Sequence, residues 1–111
     1  MERKLIALDM DGTLLNSKLE ICPKTKEVLQ KAIQDGHVVM ISSGRPWRAI
    51  KDYYEELGCN GPVISLNGVH TFNPKDPAFK EVKYSYKKED IIDIATKAAP
   101  ILKDLCSESE D

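Results

Sequence analysis

One stretch, Leu5-Ile6-Ala7-Leu8-Asp9-Met10-Asp11-Gly12-Thr13-Leu14-Leu15, constrains the fold of this chain more than any other. Four apolar residues run into two acids spaced by one, and a glycine follows at once. The apolar run is too short for a helix and has no polar face, which suits a central strand of a parallel sheet covered on both sides. At the end of such a strand Asp9 and Asp11 project to one side and Met10 to the other. Two carboxylates crowded there repel each other. A divalent cation between them, or different protonation states on the two, relieves that repulsion. Gly12 can take a positive φ and leaves backbone N–H groups free to face an anion. The plainer reading is a strand that ends in a polar turn, because Asp-Gly is a common turn dipeptide.

Downstream the same grammar repeats. Pro23 opens a helix where its missing N–H costs nothing, Val28, Leu29, Ala32 and Ile33 recur at helical spacing, and Gly36 ends the element. Val38 to Ile41 reads as a second apolar strand running into Ser42-Ser43-Gly44-Arg45. Pro46 then starts a helix with Trp47, Ile50, Tyr53, Tyr54 and Leu57 on its inner face and Gly58 as its cap. Pro62 to Leu66 is a third strand, ending at Asn67-Gly68. This alternation predicts right-handed parallel crossovers in an α/β sheet. The pattern changes at Val69. A short strand to Phe72 and a turn-rich Asn73-Pro74-Lys75-Asp76-Pro77 precede period-2 alternation at Val82, Tyr84 and Tyr86, the mark of a one-sided strand. A last helix starts near Lys88, with Ile91, Ala95, Ala98 and Leu102 as its apolar face, and Pro100 kinks or stops it. Ser107 to Asp111 reads as a frayed acidic tail.

Composition removes several functions. With 111 residues, 41% hydrophobic, 31% charged and a net charge of −2, the chain can build one core and not two. It has no basic stripe for nucleic acid and no stretch long enough to span a membrane. Cys22, Cys59 and Cys106 are odd in number and far apart, which predicts reduced thiols and a cytoplasmic protein. His37 and His70 have no partners at metal or triad spacing and read as a loop and a hairpin residue.

Asp9-Met10-Asp11-Gly12-Thr13 resembles the first motif, DxDGT, of the haloacid dehalogenase (HAD) superfamily of phosphoryl-transfer enzymes. Ser43-Gly44-Arg45 is similar to the second motif of its Cof-type branch, usually Thr-Gly-Arg, with Ser42 the alternative hydroxyl. Asn67-Gly68 resembles the point where Cof-type chains leave the core for an inserted α/β cap, although on spacing alone a hairpin turn serves equally well. The resemblance implies a Rossmann-like partial HAD core of about three parallel strands over residues 1–68, and a β-hairpin and helix starting the cap over 69–111. It implies Asp9 as nucleophile and Asp11 as general acid/base. It also implies Mg²⁺ held at Asp9 and Asp11, and phosphate at Gly12, Ser43, Gly44, Arg45 and Asn67. The expected substrate is a small phosphorylated sugar or similar small phosphorylated metabolite, hydrolysed through an aspartyl phosphate. A phosphomutase of the same superfamily and a non-catalytic interaction module are the alternatives. The family's third-motif lysine and later acidic pair have no counterpart here, so the short chain is expected to be inactive alone. By the same resemblance, strands that would flank Leu5 to Leu8 are absent, and the chain is expected to self-associate or to pair with a complementary fragment.

Overall fold

The computed structural model describes residues 1–108. Its elements in chain order are β1 (Leu5–Leu8), α1 (Pro23–Gln34), β2 (Val38–Ser42), α2 (Trp47–Leu57), β3 (Val63–Ser65), a single turn at Leu66–Gly68, β4 (His70–Phe72), β5 (Val82–Lys83) and α3 (Lys88–Ala98). The five strands form one sheet in the order β1-β2-β3-β4-β5. β1, β2 and β3 are parallel, with Leu5 opposite Val38 and Ile41 opposite Val63. β4 turns back antiparallel on β3, and β5 on β4. The sheet is the α/β Rossmann-like arrangement expected, extended by an antiparallel hairpin.

Helix limits follow the local chemistry. Pro23 occupies the first turn of α1, and Gly36, at φ 94°, turns the chain out of it. Gly58, at φ 69°, caps α2 in the left-handed region and returns its N–H to Glu55 O at 3.0 Å. Pro46 precedes α2 as its N-cap rather than lying inside it. Pro100 lies just beyond α3, so it stops the helix without kinking it.

The core sits between the sheet, α1, α2 and the segment after β1. Met10, Val39, Ile41, Ile50, Leu57 and Val63 are fully buried. Trp47 meets Tyr54 and Phe72 edge-on, with ring centroids 5.6 and 5.2 Å apart. The Tyr54 hydroxyl donates to Gly61 O at 2.7 Å, so the ring's one polar atom is satisfied inside. Asn60 acts as an extra rung beside β2: its Oδ1 accepts from Val39 N–H at 2.9 Å and its Nδ2 donates to His37 O at 3.0 Å.

Four expectations need correction. Among the described residues β1 is not a central strand covered on both sides. It stands at the end of the strand order, with Ile6 and Leu8 half-buried and Leu5 63% exposed. Its neighbours, not its composition, decide its burial. The alternation at Val82, Tyr84 and Tyr86 yields only a two-residue strand, and both tyrosines are exposed. Val28 on α1 is exposed as well, leaving Leu29 as the buried anchor of that face. α3 buries no residue fully; Ile91, Ala95 and Ala98 are half-buried and Leu102 is exposed. In the acidic tail, Glu108 pairs with Arg48 at 2.6 Å, and residues 109–111 lie outside the described residues.

Candidate active site

The C-terminal ends of β1, β2 and β3 lie side by side, and three loops meet there. The first is the turn after β1. Met10 is fully buried and pins it to the core, while Asp9, Asp11, Gly12 and Thr13 stay exposed. Met10 O accepts from Thr13 N–H at 3.3 Å and from Leu15 N–H at 2.9 Å; Asp9 O accepts from Leu14 N–H at 3.2 Å. Gly12 takes φ 74°, a conformation that a side chain would strain.

The second loop follows β2. Ser43 is buried, its N–H donates to Ile64 O at 2.8 Å, and its Oγ accepts from Arg45 N–H at 3.0 Å. The third loop follows β3, where Leu66 and Asn67 adopt φ of 49° and 56°. These left-handed residues fold Asn67 back onto the second loop. Asn67 N–H donates to Ser43 O at 3.1 Å and Leu66 N–H to Arg45 O at 3.1 Å. A Cβ on Gly44 would stand 3.0 Å from Asn67 Oδ1, so glycine provides the seat for that side chain.

Arg45 closes the first loop onto the second. Its Nε donates to Asp11 Oδ2 at 2.9 Å and its Nη2 to Asp11 Oδ1 at 2.6 Å, a bidentate pair. The guanidinium holds the Asp11 carboxyl below the usual carboxylate range, first through these hydrogen bonds and then through its charge. Asp11 in return raises Arg45 further above its ordinary value. Arg45 also lies 5.9 Å above the centroid of the Tyr53 ring, whose hydroxyl donates to Leu19 O at 2.8 Å. Tyr53 therefore braces the site from α2, where sequence periodicity reads it only as a core residue.

Asp11, Ser43, Gly44, Arg45 and Asn67 are thus joined by direct contacts or through one another, with Gly12 in the turn that carries Asp11. Asp9 follows Leu8, which pairs with Ile41, so in the β1–β2 register it stands level with Ser42. Of the two histidines, His37 accepts from Lys4 N–H at 3.2 Å, and His70 pairs with Glu81 at 2.5 Å on the hairpin side of the sheet.

The described residues do not by themselves fit a Mg²⁺ centre. Among them no group of three His, Cys, Asp or Glu side chains is placed to hold a metal ion, and both Asp11 carboxylate oxygens are engaged by Arg45. Mg²⁺ takes near-octahedral oxygen coordination, and Asp9 with the Asp11 carbonyl covers only part of such a shell. Among the described residues no helix is long and apolar enough to cross a membrane.

Known proteins are similar to this chain in sequence and fold. The family model for haloacid dehalogenase-like hydrolases matches residues 6–111. Among curated proteins, a putative phosphatase of Metamycoplasma hominis is 48% identical over 79 residues, covering 69% of this chain and 28% of the relative. A 5-amino-6-(5-phospho-D-ribitylamino)uracil phosphatase of Bacillus subtilis is 41% identical over 81 residues, covering 71% of this chain and 30% of the relative. The crystal structure of a haloacid dehalogenase-like hydrolase from Bacteroides thetaiotaomicron superposes with a TM-score of 0.72 at 29% identity, over 89% of this chain and 38% of that one. The chain therefore spans under a third of the length of these two curated relatives. A DxDGT turn on the first of three parallel strands, a matching family model and phosphatase relatives agree, and the chain belongs to the haloacid dehalogenase-like hydrolases.

Proposed function

We propose that this chain is the N-terminal part of a phosphate-monoester hydrolase that acts on a small phosphorylated metabolite through an aspartyl-phosphate intermediate. The observation that carries the reading is the convergence of the Asp9–Thr13 turn, Ser43-Gly44-Arg45 and Asn67 beyond the ends of adjacent parallel strands, where α/β folds gather their ligands. The phosphoester carried by the substrate of the Bacillus subtilis relative supports the substrate class. A carboxylate oxygen of Asp9 attacks phosphorus in line, the bond to the leaving oxygen breaks, and Asp11 gives that oxygen a proton. Asp11 then takes a proton from water as the water attacks the aspartyl phosphate, which releases inorganic phosphate and frees Asp9. The Ser43 hydroxyl, the backbone N–H groups near Gly12 and Gly44, and Asn67 bind the phosphoryl oxygens. Paired with Arg45, Asp11 is a carboxylate and only accepts hydrogen bonds, so before it serves as the acid it must take a proton from solvent, which it does once the substrate's phosphate draws Arg45 away.

Mg²⁺ enters this proposal at the level of a longer protein, to which Asp9 and Asp11 would contribute donors. The division of the chain into a partial core, 1–68, and the start of a cap, 69–111, belongs to the same reading, as do a cytoplasmic setting and inactivity of the short chain alone. The test is a chimera in which this chain replaces the matching stretch of the Metamycoplasma hominis relative. Hydrolysis of an aryl phosphate by the chimera, lost in Asp9→Asn with the fold retained, is the expected result. Activity that survives Asp9→Asn would remove Asp9 as nucleophile.

A further inference from the structure

We propose that Tyr53 is a positioning residue of the candidate site: its ring holds the Arg45 guanidinium beside Asp11, and its hydroxyl ties that arrangement to the loop between β1 and α1. α2 carries two adjacent tyrosines with different tasks. Tyr54 is fully buried, and its hydroxyl is satisfied at Gly61 O. Tyr53 lies one position, roughly 100°, further round the helix and is only half-buried. Its ring centroid is 5.9 Å from Arg45 Cζ, within the range of a cation–π contact. The same guanidinium donates from Nε and Nη2 to the Asp11 carboxylate at 2.9 and 2.6 Å. The planar fork serves the carboxylate while the delocalised cation lies against the ring, two contacts that a lysine could not make together. An arginine loses much rotamer freedom when it is held in one place, and a ring already fixed in position lowers that cost.

The far end of the ring is what fixes it. The Tyr53 hydroxyl donates to Leu19 O at 2.8 Å. Leu19 takes φ 59°, a left-handed conformation that persists in a residue with a side chain only where neighbours hold it. Asn16 supplies part of that hold, since its Oδ1 accepts from Lys18 N–H at 2.9 Å and from Glu20 N–H at 3.0 Å. Isolated bridges then join Ile21 to Leu15 and Leu15 to Asp11. The contacts close a circuit that runs from Asp11 through this loop to Leu19, across Tyr53 to Arg45, and back to Asp11. Tyr53 is the member of that circuit that comes from α2. In the hydrolysis proposed above, Arg45 passes from Asp11 to the substrate's phosphate, and the Tyr53 ring keeps the cation at the site during that exchange. This consequence rests on the phosphatase reading, whereas the hold of Tyr53 on Arg45 does not.

Nitrogen NMR of the Arg45 side chain in the 111-residue chain tests it, with solvent exchange read at the Arg45 Nε–H. In the unsubstituted chain the Arg45 side-chain protons should be shifted upfield by the Tyr53 ring. Tyr53→Leu should speed Nε–H exchange roughly two- to tenfold, and leave the amides of Ile50 and Tyr54 unchanged. Tyr53→Phe keeps the ring and should leave Arg45 within about twofold of the unsubstituted chain, while the amides of Lys18 to Glu20 exchange faster. Protons without a ring shift overturn the proposal, and that measurement needs no variant. A folded Tyr53→Leu chain with Arg45 unchanged also overturns it, as does Tyr53→Phe freeing Arg45 as much as Tyr53→Leu does. Faster exchange spread evenly over α2 would reduce Tyr53 to a structural part of the helix. In an active chimera Tyr53→Leu should raise KM for an aryl phosphate roughly two- to tenfold with a smaller change in kcat, and Tyr53→Phe should restore KM. An unmoved KM beside a freed Arg45 would overturn the role in phosphate binding. Activity that survives Asp9→Asn would sink the phosphatase reading instead, and the exchange at Arg45 would still decide whether Tyr53 holds it.

Discussion

Cys59 and Tyr54 lie together in the core, and burial sets the ionisation of both. Burial pushes the Cys59 thiol up to about 11 from an ordinary 9.0, and the Tyr54 phenol up to about 12 from an ordinary 10.0, with Cys59 adding to the latter. Both groups hold their protons more tightly folded than unfolded. Their contribution to stability is therefore complete below the unfolded values and is lost as pH rises through the folded ones. The urea midpoint should fall between about pH 9 and pH 12, and Tyr54→Phe with Cys59→Ala should flatten that decline. At pH 8 a thiol reagent should label the exposed Cys22 and Cys106 at once and Cys59 only on unfolding. The same burial argument ranks the two serines at the candidate site. Ser43 is fixed at three atoms by its neighbours, whereas Ser42 belongs to β2 itself. In an active chimera Ser43→Ala should lower kcat by on the order of 10²–10³, more than Ser42→Ala does; the reverse order would transfer the role to Ser42. The residue types at this site are legible in the sequence. The Asp11–Arg45 pair is not, because a contact across 34 positions leaves no local pattern.

Among the elements, glycines give the sharpest contrast. Gly58 is demanded by its own backbone, with φ 69° and open space where a Cβ would lie. Gly61 is demanded by its neighbours: a Cβ there would stand 2.7 Å from Val38 Cγ1 and 2.9 Å from Val39 O. Gly58→Ala should cost about 1–2 kcal/mol of left-handed strain. Gly61→Ala has to displace the backbone of β2, and should cost about 1–3 kcal/mol while altering the register-sensitive chemical shifts of Val38 to Met40. Equal losses with unmoved β2 shifts would contradict that account. Element limits set by local chemistry, such as Pro23, Gly36 and Gly58, are readable from sequence because each acts within one turn. Burial is not readable in that way. Leu5–Leu8 and Val82–Tyr86 both carry convincing apolar patterns, yet Leu5, Tyr84 and Tyr86 are exposed, because burial depends on neighbours that a local pattern does not record.

At the scale of the molecule the chain is extended for its length. Its radius of gyration is 17.1 Å and its extents are 55 × 36 × 22 Å, whereas a compact domain of this size comes to about 13 Å. The excess follows from where burial is concentrated. β2 carries three consecutive buried residues between β1 and β3, while α3 has no fully buried residue and leaves Ile92 and Ile94 53% and 52% exposed. A helix of eleven residues is marginal in water without tertiary packing. α3 should therefore open independently of the sheet, and native-state hydrogen exchange should resolve two levels. Amides of Val39 to Ile41 should exchange only with global unfolding, and those of Ile91 to Ala98 by a local opening whose rate barely responds to dilute urea. Should α3 exchange with the same free energy as β2, its apolar residues must be covered in solution, and the extended shape would not be that of the chain in water.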